Sequence, residues 1–263
     1  MKNVLVTGAA GGMGRAVCRL LTDSGYEVWG LDIAPGEAAC PWHYIQTDLS
    51  DTGAVKNACQ QVQKEAGALY ALVHMAGIYD LNSLVEMSEE AFRQIFEVNL
   101  FAAYRVNREF LPLLQPGGRI VLTTSELAPL EPLPFTGIYG ITKTALEKYA
   151  FSLRMELQLL GYRVCVLRPG AVKTGLLFVS TKRLGDFCEN TKLYACNAQR
   201  FRKIVDSVEA KNISPEKVAS RVLKILRVKN PHYVYNVNRN PLLRLLNFLP
   251  DRMQTAVIRQ ILK

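Results

Sequence analysis

No stretch of eighteen consecutive apolar residues occurs among the 263 positions, which argues against a membrane-spanning helix. The apolar segment after Met1-Lys2-Asn3 breaks at Gly8, too early for the core of a secretory leader. A soluble, cytoplasmic protein is expected. The six cysteines, Cys18, Cys40, Cys59, Cys165, Cys188 and Cys196, are scattered without a Cys-x-x-Cys pair, and only three histidines accompany them. That argues against a disulfide framework and against a cysteine/histidine metal centre, so no metal is expected. Internal repeats, low-complexity tracts and linker-like stretches are also lacking. With 49% hydrophobic and 21% charged residues, the chain reads as one globular domain over 1–263 with a full core.

Acidic residues are in short supply, leaving a formal charge of +9. The imbalance is local: from Arg227 onward seven Lys or Arg face one acid. There is no Lys/Arg run and no recognisable nucleic-acid module, so the excess is read as a solvated basic face and no nucleic-acid partner is expected.

What is present is an alternation. Strand-like apolar runs at Val4 to Val6, Glu27 to Leu31, Tyr44 to Gln46, Leu69 to His74, Arg119 to Thr123, Arg163 to Leu167 and Tyr233 to Tyr235 are separated by amphipathic stretches of helical length. Strands alternating with helices predict an α/β fold, a doubly wound parallel β-sheet with helices on both faces. Ligands of such sheets bind beyond the carboxyl ends of the strands.

Thr7-Gly8-Ala9-Ala10-Gly11-Gly12-Met13-Gly14 follows the first strand and opens a helix expected to run to about Ser24. Gly8, Gly12 and Gly14 permit a tight turn, close approach of the backbone to a pyrophosphate, and close helix packing, while the helix start supplies free N–H groups. Asp32 ends the second strand, 24 residues after Gly8, where a carboxylate accepts hydrogen bonds from an adenosine ribose and repels a 2′-phosphate. The reading is therefore NAD over NADP. Arg15, just past the loop, is within reach of a 2′-phosphate, but its expected place is solvent or the pyrophosphate.

Tyr139-Gly-Ile-Thr-Lys143 places a phenol and an ammonium four residues apart, on one helix face. A free phenol titrates near 10 and is a poor proton-transfer group at neutral pH; an adjacent cation stabilises its phenolate.

In this order the motifs resemble those of the short-chain dehydrogenases/reductases, over nearly the whole chain. The family's Thr-Gly-x-x-x-Gly-x-Gly loop is complete at Thr7 to Gly14, and Asp48-Leu49 resembles its adenine-side Asp-Leu. His74-Met75-Ala76-Gly77 stands where the family has Asn-Asn-Ala-Gly; Ala76 and Gly77 match, His74 and Met75 depart. Asn99 resembles the helical asparagine that holds a water in the family's proton relay. Ser125, Tyr139 and Lys143 match the catalytic serine, tyrosine and lysine; because fourteen residues separate Ser125 from Tyr139, about one more than usual, Thr124 is a second candidate for the serine's role. Arg168-Pro169-Gly170-Ala171-Val172-Lys173-Thr174 resembles the Pro-Gly segment whose Val172 backbone and Thr174 hydroxyl would contact the nicotinamide carboxamide.

The resemblance implies a Rossmann-type fold, a nicotinamide cofactor and hydride transfer between it and a secondary alcohol or ketone. Ser125 would hold the substrate oxygen and Tyr139 would move the proton. Lys143 would lower the phenol's pKa and hold the cofactor ribose, and Asn99 would extend the relay. The cofactor would also meet Gly11 and Met13 in the loop. It implies too a mobile flap, about 174–213, over the substrate. Gly175 to Val179, Phe187, Phe201, Ile204 and Val205, with Leu127, Leu130, Leu133 and Phe135, predict a bulky apolar substrate such as a hydroxysteroid, bile acid or long-chain lipid. An NADPH-dependent reductase of a lipid-like or small carbonyl is the alternative. Sugar-nucleotide epimerases share Tyr-x-x-x-Lys but space the glycines differently, and nicotinamide-sensing regulators on this fold tend to lose the tyrosine or lysine that this chain keeps.

The segment from about 240 to 263 reads as two short basic amphipathic helices, the second capped by Asp251. Docking on the protein or a partner subunit is preferred over peripheral membrane contact, and a homodimer or homotetramer is expected.

Overall fold

The computed structural model describes residues 1–36 and 40–263, with the side chains of 176–180 and 209 outside the description. Seven parallel strands form one sheet in the order β3-β2-β1-β4-β5-β6-β7. Their ranges are β1 Lys2–Thr7, β2 Tyr26–Asp32, β3 His43–Gln46, β4 Leu69–His74, β5 Leu114–Thr123, β6 Arg163–Pro169 and β7 Val234–Val237. All seven expected runs are strands, several extended by a few residues. Both faces of the sheet are covered, so central strands are apolar throughout rather than alternating; every residue of β4 is buried.

Helices α1 Gly12–Asp23 and α8 Pro215–Arg227 cover one face, where Val17, Cys18 and Leu21 meet Val218, Val222 and Ile225 over Val4, Val6 and Val73. Helices α2 Thr52–Ala66, α4 Ala102–Phe110 and α5 Gly137–Leu157 cover the other, with Val55, Val62, Val106, Phe110, Leu146 and Ala150 over Leu5, Leu31 and Leu72. Ser88 starts α3 Glu89–Phe96 by accepting from the Ala91 N–H at 3.2 Å, and Asp51 starts α2 in the same way from Gly53 at 2.7 Å, as N-caps do.

A third, smaller cluster lies beyond the carboxyl ends of the strands. It packs α6 Gly175–Asn190 and α7 Ala195–Glu209 on Leu81 and Phe135, through Leu184, Phe187, Phe201 and Val205, and it takes in Leu262 near the end of α10 Asp251–Leu262. The tail is two helices, as expected, the first being α9 Pro241–Asn247. Asp251 is not the cap: α10 starts after Pro250 without a side-chain cap hydrogen bond. Asp251 is already the first helical residue, so its carboxylate can act only on the helix dipole. The sheet order reverses between β1 and β4, and this switch point opens the cleft. No helix among the described residues is long and apolar enough to cross a membrane.

Candidate active site

The glycine loop leaves β1 at the switch point. Gly8 has φ +69, and a Cβ there would lie 2.6 Å from the Ala76 nitrogen, so only glycine lets the loop turn against the end of β4. Gly14 is tighter, with a Cβ falling 1.9 Å from the Gly8 carbonyl oxygen. Gly11 caps α1 without any side-chain hydrogen bond, leaving first-turn N–H groups directed to the cleft for an anion. Across the cleft a Cβ on Gly12 would lie 2.8 Å from Thr174 Cγ2, and Met13, Gly77, Pro169, Gly170, Val172 and Thr174 line the same cavity. These backbone-walled surfaces fit a dinucleotide running from the helix start to the Pro169-Gly170 segment.

Asp32 ends β2 beside the glycine loop. Its carboxylate accepts from the Ala10 and Ala34 N–H groups, each at 3.0 Å, and is therefore fixed before any ribose arrives. Arg15 donates from its guanidinium to the Ala10 carbonyl at 3.2 Å, bringing a cation to the same loop. The segment holding Asp48 and Leu49 lies alongside, since Thr47 N–H donates to the Asp32 carbonyl at 2.7 Å. Asp48 Oδ1 is engaged by the Ser50 N–H and hydroxyl at 2.8 and 2.6 Å, and Leu49 is buried against the second core cluster.

Ser125 follows β5 and is buried, while Tyr139 and Lys143 stand two residues and six residues into α5. The Ser125 hydroxyl is near enough to the Tyr139 phenol to lower its pKa. Thr124 does not compete: its hydroxyl turns to Glu147 Oε2 at 3.3 Å and the Leu167 carbonyl at 3.4 Å. Lys143 Nζ donates to the Thr123 carbonyl at 3.2 Å and lies 5.7 Å from the Tyr139 ring centroid. Asn99 sits in a π-helical turn, Glu97–Phe101, an extra-residue bulge of the kind that marks functional sites. Its Oδ1 accepts from Ile78 N–H at 2.8 Å and its Nδ2 donates to the Ile78 carbonyl and Thr142 Oγ1 at 2.9 and 3.1 Å. A Cβ on Gly77 would stand 3.1 Å from Asn99 Oδ1 and 3.2 Å from Lys143 Nζ, so Gly77 keeps the two polar groups adjacent.

The electrostatics differ from expectation. Burial pushes the Tyr139 phenol up to about 12; the Ser125 hydrogen bond pulls it down, and the Glu126 carboxylate adds to the rise. Burial likewise brings the Lys143 ammonium down to about 8. In the protein alone desolvation at the phenol therefore outweighs the Ser125 hydrogen bond, and low polarity disfavours the charged form of both groups.

Several contacts have no clear signal in the sequence. Tyr79 packs edge-on against Tyr139 with centroids 4.5 Å apart. Glu126 Oε2 accepts from the Asn240 N–H at 2.6 Å, and Asn247 Oδ1 accepts from the Glu131 N–H at 2.7 Å, so α9 is pinned over the loop between Ser125 and Tyr139. His74 and Met75 have found other partners: His74 Nε2 pairs with Asn107 Oδ1 at 2.8 Å, Asn107 Nδ2 donates to Tyr149 at 3.0 Å, and Met75 Sδ accepts from Thr123 at 3.2 Å. Burial takes His74 down to about 4, so it is neutral at physiological pH.

The substrate side of the cleft, part of an open space of about 1160 Å³, is walled by Leu127, Leu133, Phe201, Ile204, Val205, Val208 and Leu243. Of the expected lining residues, Leu130, Phe135, Gly175 and Phe187 are not on this wall. Phe135, at φ 64, is enclosed by Phe187, Tyr194 and Phe201 with centroids 4.9 to 5.3 Å away. Phe135 and Phe187 thus hold the flap down rather than face the cavity, because three rings bury more apolar surface there than the open cleft offers. The side chains of Leu176 to Val179 lie outside the described residues.

Residues 2–183 match the short chain dehydrogenase family. A 3-ketodihydrosphingosine reductase of Bacteroides thetaiotaomicron is 26% identical, over 97% of this chain and 96% of that protein. An NADPH-dependent 3-dehydrocapnine reductase of Ornithobacterium rhinotracheale is 29% identical, over 100% of this chain and 98% of its own. The crystal structure of a short-chain dehydrogenase from Streptomyces avermitilis superposes with TM-score 0.78 at 24% identity, covering 98% of this chain and 94% of that one. With this match and the parallel sheet, the chain belongs to the short-chain dehydrogenases and is an oxidoreductase of that family.

Proposed function

We propose that the protein interconverts a long-chain, amphiphilic ketone and its secondary alcohol using NAD(H). The observation that carries this reading is the cavity beside Ser125 and Tyr139, walled by Leu127, Leu133, Ile204, Val205, Val208 and Leu243, which suits an apolar chain leaving a carbonyl. The two relatives that align over almost the whole chain are reductases by name, one of a ketodihydrosphingosine and one of a dehydrocapnine. They favour a flexible aliphatic substrate over the hydroxysteroid or bile acid that the sequence also accommodates.

Bound at the glycine loop, the cofactor would supply or accept hydride at its nicotinamide ring. Ser125 donates a hydrogen bond to the substrate oxygen and Tyr139 delivers or takes its proton. Lys143, adjacent to Asn99 across Gly77, connects the phenol to the polar Asn99–Ile78–Thr142 group. The apolar flap excludes water from the reacting atoms.

The preference for NAD rests on Asp32, a fixed carboxylate where a 2′-phosphate would sit. The specific observation for the second reading, NADPH, is Arg15, whose guanidinium lies at the Ala10 carbonyl of the same loop. Exposed Phe101, Tyr104, Ile141, Phe151 and Met155 on the α4–α5 side support a homodimer or homotetramer, which light scattering would measure.

The test is a panel of 3-keto sphingoid-type and other long-chain ketones, ketosteroids and short ketones, read by nicotinamide absorbance. Long-chain ketones should give the highest kcat/KM. Equal or better turnover of ketosteroids would overturn the substrate reading.

A further inference from the structure

The tail has two fates in the fold. Helix α10 is docked: Leu262 and Gln254 are buried, and Asn197 Nδ2 donates to the Leu262 carbonyl at 2.7 Å. Helix α9 is pinned at its two ends by Glu126 and Glu131 and is apolar on two sides. Leu243 looks into the substrate cavity, whereas Leu242, Leu245 and Phe248, spaced three apart, are 65%, 63% and 78% exposed. Such spacing puts them along one helical face. Nothing among the described residues covers that face.

Charge indicates what does. From Arg239 to Lys263 there are five Lys or Arg and one acid, Asp251. Arg239 and Arg244 flank the exposed leucines, and Arg239 feels Arg244 and Arg168 as like charges. A second copy meeting this face about a two-fold axis would set arginines against arginines. A water-exposed apolar ridge bordered by cations instead complements an anionic lipid surface.

We propose that α9 is a monotopic membrane contact: Leu242, Leu245 and Phe248 enter the acyl boundary of an anionic bilayer, Arg239, Arg244 and Arg252 meet lipid phosphates, and the cavity mouth at Leu243 opens toward the lipid. The surface itself stands on exposure and charge; its use for substrate entry rests on the long-chain ketone reading. A lipid-like ketone then reaches Tyr139 without crossing bulk water.

The test uses the full-length protein and sedimentation with phosphatidylcholine vesicles, with or without phosphatidylglycerol. Wild type should sediment with the phosphatidylglycerol vesicles and be released by 0.5 M salt. The triple variant Leu242→Ser, Leu245→Ser, Phe248→Ser should bind at least about tenfold more weakly, with its melting temperature unchanged because the replaced side chains are exposed. Arg244→Glu, which leaves the apolar face intact, should weaken binding in the same direction. The proposal is overturned if wild type stays in the supernatant with anionic vesicles, or if both variants bind as wild type does. It is also overturned if light scattering shows that the triple variant splits a larger wild-type species, since a second copy would then be the occupant. Vesicle binding is read without substrate, so its failure leaves ketone turnover untouched. Failure of the ketone panel would leave vesicle binding standing.

Discussion

Glu126, the residue after Ser125, accepts a 2.6 Å hydrogen bond from the backbone N–H of Asn240, which ties the serine loop to the start of α9. The carboxylate is buried, which raises its pKa, while the Asn240 N–H and the Arg239 cation oppose the rise. Glu126→Ala should free α9 and raise KM for a long-chain ketone about tenfold with a smaller change in kcat, the scale of one lost charge-assisted hydrogen bond. Glu126→Gln keeps an acceptor and should restore KM. Because the carboxylate disfavours the Tyr139 phenolate, the glutamine variant should also shift the alkaline limb of the pH–rate profile to lower pH. Steady-state kinetics across pH measures both, and a KM in the alanine variant equal to wild type would remove the latch.

Tyr139 is the proton-transfer group in the proposed mechanism. Tyr139→Phe should retain nicotinamide cofactor binding, measured by fluorescence titration, and lower kcat by about 10² or more. Near-normal turnover would assign the proton to another group.

Asp32, proposed to meet the cofactor ribose, has a carboxylate already fixed by the Ala10 and Ala34 N–H groups. Wild type should prefer NAD(H) by about tenfold in kcat/KM, and Asp32→Ser should narrow or reverse that ratio while Arg15 remains. Parity or an NADP(H) preference in wild type would favour the Arg15 reading.

His74 is buried, hydrogen-bonded to Asn107, and depressed from 6.5 to about 4 by desolvation. Between those values the unfolded chain binds the proton and the folded one does not, so stability rises with pH. It is fully present above about 6.5 and lost as pH falls toward 4, up to about 3 kcal/mol from this group. Melting temperatures of His74→Gln, which keeps a donor for Asn107, should fall less steeply than wild type over that range. Parallel curves would show that other groups dominate acid unfolding.

Local chemistry explains why so much could be read from the sequence. Tyr139 and Lys143 share a helix turn, Gly8 and Gly14 must be glycine where the loop turns against Ala76 and against itself, and each buried parallel strand is an apolar run between helices. These constraints act within a few residues, so the alternation of strands and helices, the glycine loop and the Tyr139–Lys143 pair were legible, while Ser125 was placed by resemblance and the strand order came only with the structure. The rest depends on partners distant in the chain. Glu126 and Asn240 are 114 residues apart, Phe135 packs against the rings of Phe187, Tyr194 and Phe201, 52 to 66 residues away, and Asn99 sits in a π-helical turn. The Tyr139 pKa also lies beyond spacing, because Lys143 is placed by sequence but desolvation comes from every residue that closes over the phenol. Composition likewise showed that the tail is basic and apolar, yet only the packing divided it, burying Leu262 of α10 in the flap cluster and leaving Leu242, Leu245 and Phe248 of α9 in water. A helix's own periodicity marks its apolar positions, but which of them meet protein is decided by the surface it lands on.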